Sequence, residues 1–127
     1  MHAGERERTL DAIAECLRSF PVAESLPVDW EQKLLGEHRR FLDRDRAVDT
    51  TVCWEFGHKP GWVTIDQRGG SMSADLWSLE ARDCVEAREE METLAHRLRA
   101  EAIHLSNVRT RFTTPAESNK HRGWPHI

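Results

Sequence analysis

Between Val48 and Trp77 the apolar residues recur at every second position, in three runs separated by glycine-containing reversals. A period of two belongs to a strand with one face buried and the other wet, so this stretch predicts three consecutive antiparallel strands. The first runs over 48–56, with Val48, Thr50, Val52, Trp54 and Phe56 on one side and Asp49, Thr51, Cys53 and Glu55 on the other. Gly57-His58-Lys59-Pro60-Gly61 turns the chain into a second strand over 62–67, and Arg68-Gly69-Gly70 turns it again into a third over 72–77.

Helical periodicity flanks this meander on both sides. Leu10, Ile13, Leu17 and Phe20 lie three or four residues apart and predict a first helix over 5–20, stopped by Pro21. Asp29 followed by Gln32 has the form of a capping box for a second helix over 30–44, whose stripe is Trp30, Leu34, His38, Phe41 and Leu42. After the meander, Ser78 stands where an N-cap belongs, and 79–104 runs without Gly or Pro as one long helix. Val108, Thr110, Phe112 and Thr114 then alternate with Arg109, Arg111 and Thr113 up to Pro115, which predicts a short C-terminal edge strand. The expected fold class is α+β, in the order α-α-β-β-β-α-β, an antiparallel sheet with helices on one face. A single domain over 1–115 and a polar tail over 116–127 complete it, since 127 residues are one domain's worth of chain.

Composition narrows the class of function. Charged residues make up 31% of the chain but nearly cancel, leaving a net charge of −4, so no strong field for a polyanion follows. Apolar runs are far shorter than the roughly 20 residues of a membrane span, and no secretory or lipidation signal opens the sequence, which points to the cytoplasm and away from a membrane. Cys16, Cys53 and Cys84 are odd in number and form no Cys-x-x-Cys pair, as expected of reduced thiols. An excess of arginine over lysine and the absence of tyrosine suggest a GC-rich bacterial or phage coding sequence.

Chemistry needs a constellation of groups. The chain has no phosphate-binding glycine loop, no His-Glu-x-x-His and no nucleophile elbow, and the expectation leans away from an enzyme, a cofactor or a metal. Glu92 and His96 share a helix face but read as a solvated pair, and Cys53 near His58 reads as a packing residue rather than a thiolate with its base. Nucleic acid is the lesser alternative, through Arg109, Arg111, Lys120 and Arg122 with Trp124 as a stacking group.

Two features favour a protein partner. The long helix opens with Glu80, Asp83, Glu86, Glu89, Glu90 and Glu92 against Arg82 and Arg88, a ridge that repels phosphate and attracts a basic protein. Trp62 and Trp77 share strand faces with Thr64, Asp66, Ser73 and Asp75, where a large aromatic would act as a hot spot if exposed. The residues expected to meet a partner are therefore Trp62, Trp77, Glu86, Glu89 and Glu90. Along the same helix Ala81, Cys84, Arg88, Met91, Ala95, Leu98, Ala102 and Leu105 alternate spacings of three and four. This seam either covers the chain's own sheet or makes a homodimer through the helix over 79–104. The expected function is a non-catalytic protein-binding accessory factor, such as an inhibitor, immunity or phage counter-defence protein acting on a basic or nucleic-acid-processing partner.

Overall fold

A computed structural model describes residues 3–20, 26–42, 46–56, 59–79 and 85–113. The element order is α1 (Ala3–Arg18), α2 (Trp30–Arg40), β1 (Val48–Phe56), β2 (Lys59–Arg68), β3 (Ser71–Leu79), α3 (Val85–Glu101) and β4 (Leu105–Thr113), the expected α-α-β-β-β-α-β. The tail expected over 116–127 lies outside the described residues.

The meander is the one the period of two predicts. β1 and β2 pair antiparallel from Val48 opposite Gln67 to Phe56 opposite Lys59, and β2 and β3 from Gly61 opposite Ser78 to Arg68 opposite Ser71. The second reversal is tight because Gly69 and Gly70 take φ values of 52° and 85°, the left-handed pair that a two-residue hairpin needs to match strand twist.

The sheet is not purely antiparallel, and this corrects the expectation. Its order is β1-β2-β3-β4, and β4 runs parallel to β3. The cause is the helix between them. α3 has 17 residues and β3 has 9, so α3 spans about 26 Å and β3 about 30 Å. A crossover of that length returns the chain to the starting end of β3, from where the next strand can only run in the same direction.

α3 is also shorter than the periodicity predicts. The alternation of β3 continues through Ser78 and Leu79, and Ser78 is buried in the strand instead of capping a helix. In α2 the capping box does not form: Asp29 makes no side-chain cap, and its carbonyl accepts from the Lys33 amide at 3.0 Å. That helix closes at Arg40, where Phe41 leaves helical geometry with its amide bonded to the His38 carbonyl.

All three helices serve one face of the sheet. α2 rests on β1 and β2, α3 on β4, and α1 packs between α2 and α3. The core lies in this layer, from Leu10, Ile13 and Leu17 of α1, Leu34 and Leu35 of α2, Met91, Leu94 and Leu98 of α3, and Val52, Val63, Ile65, Met72, Ala74 and Leu76 of the strands. Ion pairs stitch the helices along the solvent side: Arg18 to Glu31 at 2.6 Å, and Arg39 to Asp11 at 3.3 Å and to Glu31 at 3.4 Å.

Candidate interaction surface

The strand registers sort the polar residues of the outer sheet face into rows. One row is Cys53, Trp62, Trp77 and Arg111, and the next is Thr51, Thr64, Asp75 and Arg109. The two tryptophans stand directly opposite each other, on the polar face as expected, but they are 3% and 5% exposed. They are not the open hot spot that their neighbours suggested. Arg111 caps one of them, with its guanidinium carbon 4.6 Å from the Trp77 ring, a cation–π contact that shields the indole. Sequence spacing identifies the face on which a tryptophan stands, whereas its accessibility depends on three-dimensional packing.

The arginines of this face are engaged as well. Arg109 holds Asp75 through two contacts, Nε to Oδ1 at 2.8 Å and Nη2 to Oδ2 at 3.4 Å, and Arg68 meets Asp66 at 3.3 Å. Arg68, Arg109 and Arg111 are thus balanced on this face by Asp49, Asp66 and Asp75. Among the described residues of this face the positive charges are therefore matched by negative ones. Lys120, Arg122 and Trp124 lie outside the described residues.

On α3 the seam turns inward. Met91, Ala95, Leu98 and Ala102 are buried in the chain's own core, joined by Leu94, so these residues are not free to pair with another helix. Arg88, placed on the seam by spacing, is instead exposed, and its guanidinium lies over the Phe112 ring at 4.7 Å. Ala81 and Cys84 fall outside the described residues, and Leu105 belongs to β4.

Of the acidic ridge, Glu89 and Glu92 are exposed, and neither makes an ion pair among the described residues. Glu90 faces the other way and lines a cavity of about 100 Å³ between α1 and α3, with Cys16, Ser19, Phe20, Thr93, Leu94 and Arg97. Glu86 lies in α3 without a described side chain, and Glu80 and Asp83 precede the described part of the helix.

Beside this cavity is a polar lock that sequence spacing did not reveal. Arg97 Nε donates to Glu101 Oε2 at 2.9 Å, its Nη1 donates to the Ser19 hydroxyl, and the Cys16 thiol donates to the same Glu101 oxygen at 3.3 Å. Hydrogen bonds from Arg97 and Cys16 hold the Glu101 carboxyl below its ordinary range. Burial, reinforced by the hydrogen bond to Glu101, pushes the Cys16 thiol up to about 11. Such a thiol is a donor that ties α1 to α3, not a nucleophile. With the thiol's ordinary value at 9.0, its thiolate fraction near neutrality falls roughly 100-fold. Alkylation of Cys16 by iodoacetamide at pH 8 is therefore expected to be at least about 100-fold slower in the native protein than in denaturant. Labelling at equal rates would show the lock to be open.

Burial also pushes the Cys53 thiol up, so the strand cysteine is no better placed for attack; His58 lies outside the described residues. Glu92 and His96 are both exposed, and among the described residues no three His, Cys, Asp or Glu side chains gather to hold a metal. No helix among them is long and apolar enough to cross a membrane. No protein-family model, curated protein or solved structure is significantly similar to the chain.

Proposed function

We propose that the protein is a non-catalytic binding factor of the cytoplasm, of the inhibitor, immunity or counter-defence kind, which meets a basic, nucleic-acid-processing protein through the acidic face of α3. The observation that supports this reading is a pair of neighbouring carboxylates without a counter-charge. Among the described residues Asp11, Glu15, Glu31 and Glu37 are each paired with an arginine, and Glu7 and Asp49 are exposed without an ion pair but stand on separate elements, whereas Glu89 and Glu92 lie together on α3, both exposed and neither in an ion pair. Carboxylates without a counter-charge, three residues apart on one helix, raise the local negative potential and speed the encounter with a positive surface. The reading against nucleic acid has its own support, since Arg109 is held by Asp75 and Arg111 by Trp77.

The test starts from the partner captured from the native host. Reversal of both charges, Glu89→Lys with Glu92→Lys, is expected to lower the association rate with that protein about tenfold at low salt and to leave the dissociation rate nearly unchanged. Folding stability should move by no more than about 0.5 kcal/mol, because both positions are solvent-exposed. An unchanged association rate, or binding of wild type to DNA or RNA with a steep salt dependence, would sink the proposal.

A further inference from the structure

The sheet has two edges, β1 and β4, each 9 residues long. An edge strand presents a row of unpaired amides and carbonyls, and proteins that remain monomeric guard such edges with charge, proline or a covering group. The two edges of this protein are treated differently. β4 is guarded: Arg99 Nη2 donates to the Val108 carbonyl at 2.8 Å, and the strand carries Arg109 and Arg111. β1 carries its charges near its two ends, Asp49 and Glu55, and between them holds Thr50-Thr51-Val52-Cys53-Trp54 with no charge and no proline, a run of good strand formers. Among the described residues no side chain bonds to its backbone. The hydroxyl of Thr50 donates to the Leu34 carbonyl and that of Thr51 bonds to Thr64, so neither hydroxyl caps the edge.

We propose that β1 is the pairing edge of a two-fold symmetric dimer, in which the β1 strands of two copies of this chain meet antiparallel about an axis through Thr51. A two-fold interface places the same patch on both sides, so the strand must be complementary to its own reverse. About Thr51 it is. Thr50 comes opposite Val52, Asp49 opposite Cys53 and Val48 opposite Trp54, with no like charges facing each other. An axis through Val52 would set Asp49 against Glu55, which is destabilising across a strand pair. Partners in an antiparallel ladder share a face, so an axis through a residue keeps the helices of both copies on one side and continues the inner face from one sheet into the other. The contact is small: a single edge pairing falls below the ~1,200 Å² of a standard interface, so the dimer is expected to form in the micromolar range and to depend on concentration.

Sedimentation equilibrium of the full chain from about 1 to about 300 μM reads this directly. The average mass of wild type is expected to climb from monomer towards dimer. Thr51→Lys places two positive charges against each other at the axis and should hold the protein monomeric throughout, with circular dichroism unchanged. Thr51→Cys in a Cys53→Ser background should form a covalent dimer through position 51 on mild oxidation, because only the residue on the axis meets its own copy. A wild type that stays monomeric, a Thr51→Lys variant that dimerises as before, or a folded Thr51→Cys variant that fails to cross-link would each overturn the proposal.

Discussion

Replacing Leu98 by alanine is expected to lower the free energy of unfolding by about 3 kcal/mol. Leu98 is 0% exposed and belongs to the cluster that joins α3 to the strands and to α1. Truncating such a side chain loses its transfer free energy and leaves a cavity that the neighbours fill only in part, which places buried Leu→Ala changes at about 2–5 kcal/mol. The neighbours here include Ala95 and Ala102, which have no side-chain length with which to close the gap. The change also separates the two uses of the seam on α3. A residue that met another helix would cost affinity and leave the monomer's stability nearly intact, whereas a residue in the chain's own core costs stability at any concentration. Urea unfolding of wild type and Leu98→Ala at low protein concentration measures the difference, and a loss below about 1 kcal/mol would mean that Leu98 is not enclosed.

What could be read in the chain before its fold was known follows the range of each interaction. The meander was readable because its information is local: a side chain's face in a strand depends on parity alone, and Gly69 and Gly70 mark their turn by a backbone requirement that other residues meet poorly. The direction of β4 was not readable in the same way. It depends on how far α3 carries the chain back, and α3 itself begins later than its apolar spacing suggests because β3 continues through Ser78 and Leu79. Apolar residues at three- and four-residue spacing are also compatible with strand continuation over a few positions, so the boundary is decided by pairing with β2 and β4 rather than by propensity.

The candidate site divides along the same line. That Trp62 and Trp77 stand on the polar face was a matter of parity, but the cover over Trp77 comes from Arg111, which reaches it from a neighbouring strand 34 positions further along the chain, as Arg109 does for Asp75. Charge runs overstate free charge for the same reason. Six acidic residues open the sequence of the long helix, and of the three described by side chain only Glu89 and Glu92 face solvent while Glu90 turns into the cavity by α1. The lock of Cys16, Glu101 and Arg97 joins groups 85 positions apart and has no local signature at all.

The second large effect is expected on acidification, and it comes from His38. This side chain is 0% exposed, on the face of α2 that meets β1. The Thr50 hydroxyl donates to the Leu34 carbonyl and so accepts from His38, whose Nε2 lies 2.9 Å from Thr50 Oγ1. That assigns the neutral tautomer with its proton on Nε2. Nδ1 and the buried Gln67 carboxamide beside it make no hydrogen bond in the neutral state, so a second proton would place a charge in a dry site. Burial lowers the His38 pKa from its ordinary value of 6.5, and the Gln67 side chain, the Ile65 carbonyl and the charges of Asp66 and Asp49, which favour the charged ring, do not offset it. In the unfolded chain the imidazole takes up its proton near pH 6.5; in the folded chain it does so only at lower pH. Between the two values the unfolded state binds more protons, so stability falls as pH falls, with a slope approaching about 1.4 kcal/mol per pH unit, and is unaffected by this group well above pH 7. Unfolding measured from pH 7.5 to 5.0 should therefore show wild type losing about 1 kcal/mol more than His38→Gln, which keeps an amide donor for Thr50 and has nothing to titrate. Most carboxylates titrate below this window, so they contribute little to the difference between the two curves. Parallel curves for the two proteins would mean that His38 takes up its proton as readily in the folded chain as in the unfolded one, and the account of the α2 to β1 contact as a neutral, dry hydrogen-bonded junction would fail.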